Sequence, residues 1–464
     1  MAHLFISAAH KSSGKTTVSI GLCAALQQRG YKVQPFKKGP DYIDPIWLSM
    51  ATGRTCRNLD FHLMGQHDIM ALFARCGHDA DLSLIEGNKG LYDGLDLDGS
   101  NSNAALAKLT EAPVVLVIDA RGMTRGIAPL ILGYQAFDRE INIAGVILNN
   151  VGGNRHEGKL RSVIEHYTDV PVVGAVHYDK RLQILERHLG LMPGSEALEA
   201  RDQIDGMGKV LAEQVDLDAI LAIANSAPKP ILTIFSETQA THAKKYPQPD
   251  KIRIGIARDQ SFGFYYADDL EDLEQEGAEL VYIDMLNDSV LPDIDGLFIG
   301  GGFPEVFMHQ LEKNASMRKQ VRKAIESGLP TYAECGGLMY LARSLSWRGE
   351  VAEMVGIIPG NVVMHDKPVG RGYVQLREEA NDLWPAVAMP DIIHAHEFHY
   401  SSLENLEGKP HFAYTVARGY GIDGKHDGLI YKNLLASYSH LRSVGEYHWA
   451  RRFARFVREK KGDS

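Results

Sequence analysis

Three groups of side chains in this sequence could do chemistry. The first lies in Ser7-Ala8-Ala9-His10-Lys11-Ser12-Ser13-Gly14-Lys15-Thr16-Thr17. An apolar run, Leu4–Ser7, precedes it, and Val18, Leu22, Ala25 and Leu26 follow at helical spacing. A loop between a strand and a helix points backbone N–H groups and the helix N-terminus at phosphate oxygens. Ser12, Ser13, Gly14, Lys15, Thr16 and Thr17 are therefore expected to hold the phosphates of ATP or GTP. In that arrangement Lys15 neutralises the outer phosphates and the Thr16 hydroxyl reaches Mg²⁺. Ala9 stands where the usual phosphate-loop pattern has its first glycine.

The second group is acidic. Phe36-Lys37-Lys38-Gly39-Pro40-Asp41-Tyr42-Ile43-Asp44-Pro45 reads as turn-rich and carries two carboxylates, and Glu86 and Asp93 flank a glycine-rich stretch after the strand candidate Leu82–Ile85. In open α/β sheets ligands bind beyond the carboxyl ends of the strands, where Glu86 would lie. Mg²⁺ favours a few carboxylates plus phosphate oxygens, so Asp41 and Glu86 are expected to complete the Thr16 site. Asp44 and Asp93 could join them, or else cap helices or face solvent. Asn149, after the candidate strand Ala144–Leu148, could read an adenine edge or simply form a turn with Asn150.

The third group centres on Cys335. Pro330-Thr331-Tyr332-Ala333-Glu334-Cys335-Gly336-Gly337-Leu338-Met339 reads as a short strand breaking sharply into a helix, the form of a nucleophile elbow. A helix N-terminus also favours the thiolate. Gly300-Gly301-Gly302-Phe303-Pro304-Glu305 follows another strand candidate. Backbone amides at Gly301, Gly302 and Gly336 could line an oxyanion hole. His440, in Ala436-Ser437-Tyr438-Ser439-His440-Leu441, could serve Cys335 as base. Cys23 reads as core, and Cys56 and Cys76 have no comparable setting.

These groups require elements to position them. From 1 to 225 short apolar runs alternate with amphipathic segments, the pattern of a mostly parallel sheet covered by helices. Further strand candidates there are Val114–Ile118 and Val170–Ala175. Residues 226–250, punctuated by Pro228, Pro230, Pro247 and Pro249, read as a linker. A second alternating pattern restarts with Ile252–Ala257, Leu280–Ile283, Gly296–Ile299 and Thr331–Ala333 and fills 251–445, leaving 446–464 as a C-terminal tail.

The chain has 464 residues, enough for two ordinary domains, and is 45% hydrophobic with a net charge of -10. No basic block offsets that charge, which argues against nucleic-acid binding. The four cysteines show no metal-like or disulfide-like spacing. No signal peptide and no apolar stretch of about 18 residues is found, so the membrane is excluded and the cytoplasm expected.

Taken in order, these motifs resemble the cobyrinic acid a,c-diamide synthase family over nearly the whole chain. The shared residues are the Gly-Lys-Thr loop, Lys38–Pro45, Asn58-Leu59-Asp60 and Glu86-Gly87-Asn88. The second half adds Glu334–Met339, His396-Glu397-Phe398-His399-Tyr400-Ser401 and Ser437–Leu441. The resemblance implies two α/β, doubly wound domains: a phosphate-loop ATPase domain like dethiobiotin synthetase, and a class I glutamine amidotransferase domain of the cobyrinate/cobyrate type. It implies that ATP and Mg²⁺ activate substrate carboxylates as acyl phosphates, with Asp41, Glu86 and Asp93 serving metal, ATP and acyl phosphate. Ammonia released from glutamine at Cys335, with His440, then displaces the phosphate. The a- and c-acetates of cobyrinate, in cobalamin biosynthesis, are the expected targets. Lys37, Lys38, Arg57 and Lys89 could pair with the carboxylates of such a tetrapyrrole. A homodimer is compatible with this reading.

Three departures bear on it. Class I relatives often carry Glu two residues after the histidine, where this chain has Arg442, so no third member is assigned and Glu397 is one candidate to orient His440. Asp60-Phe61-His62-Leu63-Met64, the Lys89 insertion and Glu446-Tyr447-His448-Trp449-Ala450 differ from the cobyrinate pattern. They keep a sirohaem amidase of the same family, tied to dissimilatory sulfur metabolism, as the alternative. A ParA-like ATPase switch without amide chemistry would explain the first half alone, and its expected lysine five positions before Lys15 is His10.

Overall fold

A computed structural model describes residues 1–182, 194–228, 251–379, 383–385, 390–445 and 447–462. They fall into two compact units, one within the first half and one from residue 251 onward. Most of the expected linker, 229–250, lies outside the described residues.

The first unit is a seven-stranded sheet. Across it run Arg57–Leu59, Val33–Lys38, Leu82–Glu86, Ala2–Ala8, Val114–Asp119, Ile143–Val151 and Val172–His177, all parallel. Runs such as Leu4-Phe5-Ile6 and Val114-Val115-Leu116-Val117 are buried along their whole length, as strands covered on both faces must be. The stretch expected to be turn-rich begins inside this sheet. Residues 36–38 end the strand Val33–Lys38, and parallel register sets Lys37 against Glu86 on one side and Asn58 on the other. The helix Lys15–Gln28 buries Val18, Leu22, Ala25 and Leu26, and leaves the carboxyl end of the central strand.

The second unit carries a nine-stranded mixed sheet. Its parallel part runs Ala278–Ile283, Ile252–Ala257, Gly296–Ile299, Thr331–Glu334 and Leu434–Ser437. An antiparallel extension follows, His426–Tyr431, His411–Arg418, Gly370–Glu378 and Ile393–His399. A smaller sheet is formed by Glu350–Glu353, Ala342–Trp347, Ile358–Met364 and Ser401–Glu404. Residues 446–464, expected as a tail, instead contain the helix Trp449–Gly462. Trp449, Phe453, Phe456 and Val457 are buried with Ile252, Ile254 and Tyr332. Apolar side chains at helical spacing make this segment part of the core.

Candidate active sites

In the first unit the strand Ala2–Ala8 runs into the loop 9–14. The loop closes tightly, with φ of 67° at Ser12 and 87° at Gly14. The Ser13 hydroxyl donates to the His10 carbonyl at 2.8 Å. Asn149 donates to the Ser13 carbonyl at 2.9 Å, and a Cβ on Gly14 would stand 2.0 Å from its amide nitrogen. Asn149 therefore braces the loop backbone, which accounts for one of its donors. Lys15, 7% exposed, opens the helix with Thr16 and Thr17. Burial, reinforced by Lys37, lowers the Lys15 pKa to about 8 against the pull of Glu86, Asp44 and Asp93.

Thr16 Oγ1 donates to Glu86 Oε1 at 2.7 Å and to Asp44 Oδ2 at 3.2 Å. The Lys37 ammonium sits among the same acids. It donates to Glu86 at 2.9 Å and to Asp44, with Asp41 at 3.8 Å. Asp41 Oδ1 accepts from the amides of Ile43 and Asp44 at 2.9 and 3.1 Å, at the start of the helix Ile43–Thr52. Asp41 thus accepts from the helix start and lies near Lys37, while Asp44 stands directly beside Thr16 and Glu86. Burial raises the Glu86 pKa to about 7 despite Lys37, and that of Asp41 to about 6, with Asp44 adding to the rise. Asp93 Oδ2 accepts from the Gly90 amide at 3.0 Å and closes that turn.

The basic residues expected to meet substrate carboxylates are placed unevenly. Lys37 is spent on the internal acids Asp44 and Glu86. Lys38 is buried, donates to the Asn101 carbonyl at 2.5 Å, and is lowered by burial to a pKa of about 8. Arg57 is buried in its short strand, and Lys89 is exposed.

In the second unit Cys335 joins the strand Thr331–Glu334 to the helix Gly336–Leu341 with φ 48° and ψ -102°. A non-glycine residue in such a conformation is strained, and strain of this kind gathers at functional sites. Crowding holds it in place. A Cβ on Gly337 would stand 2.2 Å from the Ile299 carbonyl oxygen, and one on Gly336 3.0 Å from the Gly302 nitrogen. A Cβ on Gly302 would fall 1.8 Å from the Ser261 carbonyl, and one on Gly301 2.5 Å from His440 Cε1. Gly301, Gly302, Gly336, Cys335 and His440 thus meet at one point, with the Cys335 amide itself donating to Ser437 at 2.7 Å.

His440 is 2% exposed and hydrogen-bonded to Cys335. Its Nδ1 lies 3.2 Å from Glu334 Oε2, while Glu334 Oε1 accepts from the Leu441 amide at 2.9 Å. Burial opposes a charged imidazole, but the hydrogen bonds with Cys335 and Glu334 prevail and raise the His440 pKa to about 10. Glu334 is the residue the sequence reasoning missed. Glu397, the candidate considered for this place, accepts from the Tyr420 and Gly421 amides at 2.7 and 2.8 Å. Arg442 is buried against Asp268 and over the Tyr266 ring. Cys, His and Glu in this order of contact have the arrangement that can serve as a nucleophile, its base, and a carboxylate that fixes the base's tautomer.

The family comparisons agree with this division. Residues 5–191 match the CobQ/CobB/MinD/ParA nucleotide binding domain, and residues 253–446 the CobB/CobQ-like glutamine amidotransferase domain. Cobyrinate a,c-diamide synthase of Magnetococcus marinus is 46% identical over 98% of this chain and 97% of its own. The enzymes of the same name from Methanosarcina acetivorans and Archaeoglobus fulgidus are 44% and 43% identical. Those matches cover 95% and 97% of this chain and 92% and 96% of theirs.

Proposed function

The chain belongs to the cobyrinate a,c-diamide synthase family, and we propose that it amidates the a- and c-acetate carboxylates of cobyrinate with nitrogen from glutamine at the expense of ATP. The observation that carries this reading is the Cys335–His440–Glu334 contact in a chain whose first half holds the Gly14-Lys15-Thr16 loop between a strand and a helix. A ParA-like switch would have no use for that contact. The relatives named above all bear the cobyrinate name, which disfavours the sirohaem alternative.

On this reading the work divides between the units. Around Lys15, the loop amides and the Lys15 ammonium hold the outer phosphates of ATP, and positioning plus charge neutralisation carry most of phosphoryl transfer. Thr16, Asp44 and Glu86 present an oxygen-only set, and Glu86 Oε2 is buried without a hydrogen-bond partner. Such a set fits Mg²⁺, which binds few protein carboxylates together with phosphate oxygens. When bound, Mg²⁺ would neutralise charge on the phosphates. The substrate carboxylate, activated as an acyl phosphate, is then open to ammonia.

In the second unit His440 already carries the proton shared with Cys335, Glu334 steadies that imidazolium, and the Cys335 thiolate attacks the glutamine amide carbon. The glycine amides around Gly301, Gly302 and Gly336 receive the developing oxyanion. His440 returns its proton to the leaving nitrogen, and water releases glutamate from Cys335.

Product mass is the direct test. Incubation with cobyrinate, ATP, Mg²⁺ and glutamine should give the mass change of two OH-to-NH₂ replacements, and sirohaem none. Conversion of sirohaem in place of cobyrinate overturns the substrate assignment. Conversion of neither, with another acid amidated, removes the tetrapyrrole altogether.

A further inference from the structure

Glu334 has an anchor that the reaction above does not use. Tyr332 and Glu334 stand two positions apart on the strand Thr331–Glu334, so both side chains leave the same face of the sheet. The Tyr332 hydroxyl donates to Glu334 Oε1 at 2.5 Å, the oxygen that also accepts from the Leu441 amide at 2.9 Å. Oε2 of the same carboxylate faces His440 Nδ1 at 3.2 Å. Tyr332 is fully buried and Glu334 is 2% exposed, so both are sealed from solvent.

The terminal torsion of a glutamate is soft, with broad and roughly two-fold wells. Two donors converging on Oε1 fix that torsion and leave Oε2 to the imidazole. The Leu441 amide belongs to the residue after His440 and moves with it, whereas Tyr332 donates from the strand that carries Glu334 itself. The phenol ring is held on several sides. It stacks on Phe298 with centroids 5.2 Å apart, and Trp384 and Trp449 meet it at 5.3 and 4.8 Å. Trp449 opens the helix Trp449–Gly462, so that helix buttresses the ring. Burial, and then the neighbouring Glu334 charge, push the Tyr332 pKa well above its ordinary value, so the hydroxyl keeps its proton and serves as a donor.

We propose that Tyr332 is a positioning residue for the glutaminase reaction, its hydroxyl locking Glu334 in the orientation that aims one oxygen at His440. The inference rests on the glutaminase reading of Cys335 and His440. Tyr332 acts through Glu334 and takes no proton in the hydrolysis. The C-terminal helix thereby gains a part in the chemistry, as the support of the ring that supports the carboxylate.

The test is a double-mutant cycle on glutamate release from glutamine. Tyr332→Phe removes one oxygen and keeps the ring packing, and Glu334→Ala removes the group through which the hydroxyl acts. A hydrogen bond to a charged group is lost while the Leu441 amide remains. Tyr332→Phe should therefore lower kcat about 3- to 30-fold, with KM for glutamine and ammonia-driven amidation close to wild type. In the Glu334→Ala background the same substitution should cost nothing further, because two residues acting through one contact are coupled. Where Glu334→Ala does not fold, His440→Gln serves as the background with the same expectation. A tyrosine that only fills the core would lower the unfolding temperature and leave kcat of the folded enzyme alone. Unchanged kcat in Tyr332→Phe, or an equal loss in both backgrounds, overturns the proposal while the glutaminase reading stands. If the wild type itself releases no glutamate while amidating from ammonia, the glutaminase reading falls and the proposal with it.

Discussion

Glu334 Oε2 lies 3.2 Å from His440 Nδ1 although 106 positions separate the two residues. Parallel pairing of Thr331–Glu334 with Leu434–Ser437 brings this about, because it places Glu334 opposite Ser437, three residues before the histidine. The carboxylate thus comes from the residue just before the nucleophile, and Arg442 is free to serve the packing against Asp268. Glu334→Gln keeps the shape but removes the charge that fixes the imidazole. Glutamine-dependent turnover should fall by about 10²- to 10⁴-fold, with ammonia-dependent turnover retained. Steady-state rates with the two nitrogen sources check this.

The same contact has a signature in stability. The folded-state pKa of His440 is raised from 6.5 to about 10, so between those values the folded protein holds a proton that the unfolded chain has released. Stability from this group is complete below 6.5 and is lost as pH rises toward 10. Relative to wild type, His440→Gln should therefore show a shallower decline across that window. Chemical denaturation at several pH values measures it, and parallel curves would contradict the assignment.

Lys37 neutralises three acids at once, and its loss should be costly. Lys37→Met should destabilise the first unit by about 3–5 kcal/mol, the usual consequence of leaving buried charges unpaired. Asp41 and Glu86, already raised to about 6 and 7, would rise further without the ammonium. The folded variant then binds more protons than the unfolded chain, so its deficit should grow as pH climbs through that range. Thermal unfolding of wild type and variant across that range provides the comparison.

Packing behind the nucleophile is the next point of attack. Gly337→Ala would drive a methyl group to 2.2 Å from the Ile299 carbonyl, a backbone atom that cannot swing aside. The strand end or the Cys335 turn must shift, at a cost of about 1–3 kcal/mol. Glutaminase activity should drop sharply while ATP still binds, as judged by glutamate release beside a nucleotide-binding titration.

Much of this architecture was legible where the signal is local. The phosphate loop declares itself in Gly14-Lys15-Thr16 between an apolar run and a helical pattern, and the Cys335 elbow in its two glycines. His440 and the glycines at 301, 302 and 336 could be singled out for the same reason, and the fold brings them to Cys335. What escaped depends on pairing between distant segments. Glu334 looked like an ordinary strand residue, because only the register with Leu434–Ser437 reveals its partner. Lys37 and Arg57 read in the sequence as cations for substrate carboxylates, because Val33–Lys38 and Arg57–Leu59 are short, polar strands that only their neighbours make recognisable. The antiparallel extension between 370 and 431 went unread, its strands alternating in burial and offering no long apolar run. Trp449–Gly462 was taken for a tail although Trp449, Phe453 and Val457 already had helical spacing.

The central claim is that Cys335 only makes ammonia while the Lys15 site only activates the acid, and one activity matrix tests it. Wild type, Cys335→Ser and Lys15→Ala are each given cobyrinate, ATP and Mg²⁺ with either glutamine or an ammonium salt at raised pH, and diamide is quantified by mass. A serine hydroxyl is a poor nucleophile beside His440, so Cys335→Ser should fail with glutamine and keep ammonia-driven synthesis near wild type. Lys15→Ala should fail with both. Loss of ammonia-driven synthesis in a folded Cys335→Ser protein would contradict the account and place Cys335 in the synthetase chemistry itself.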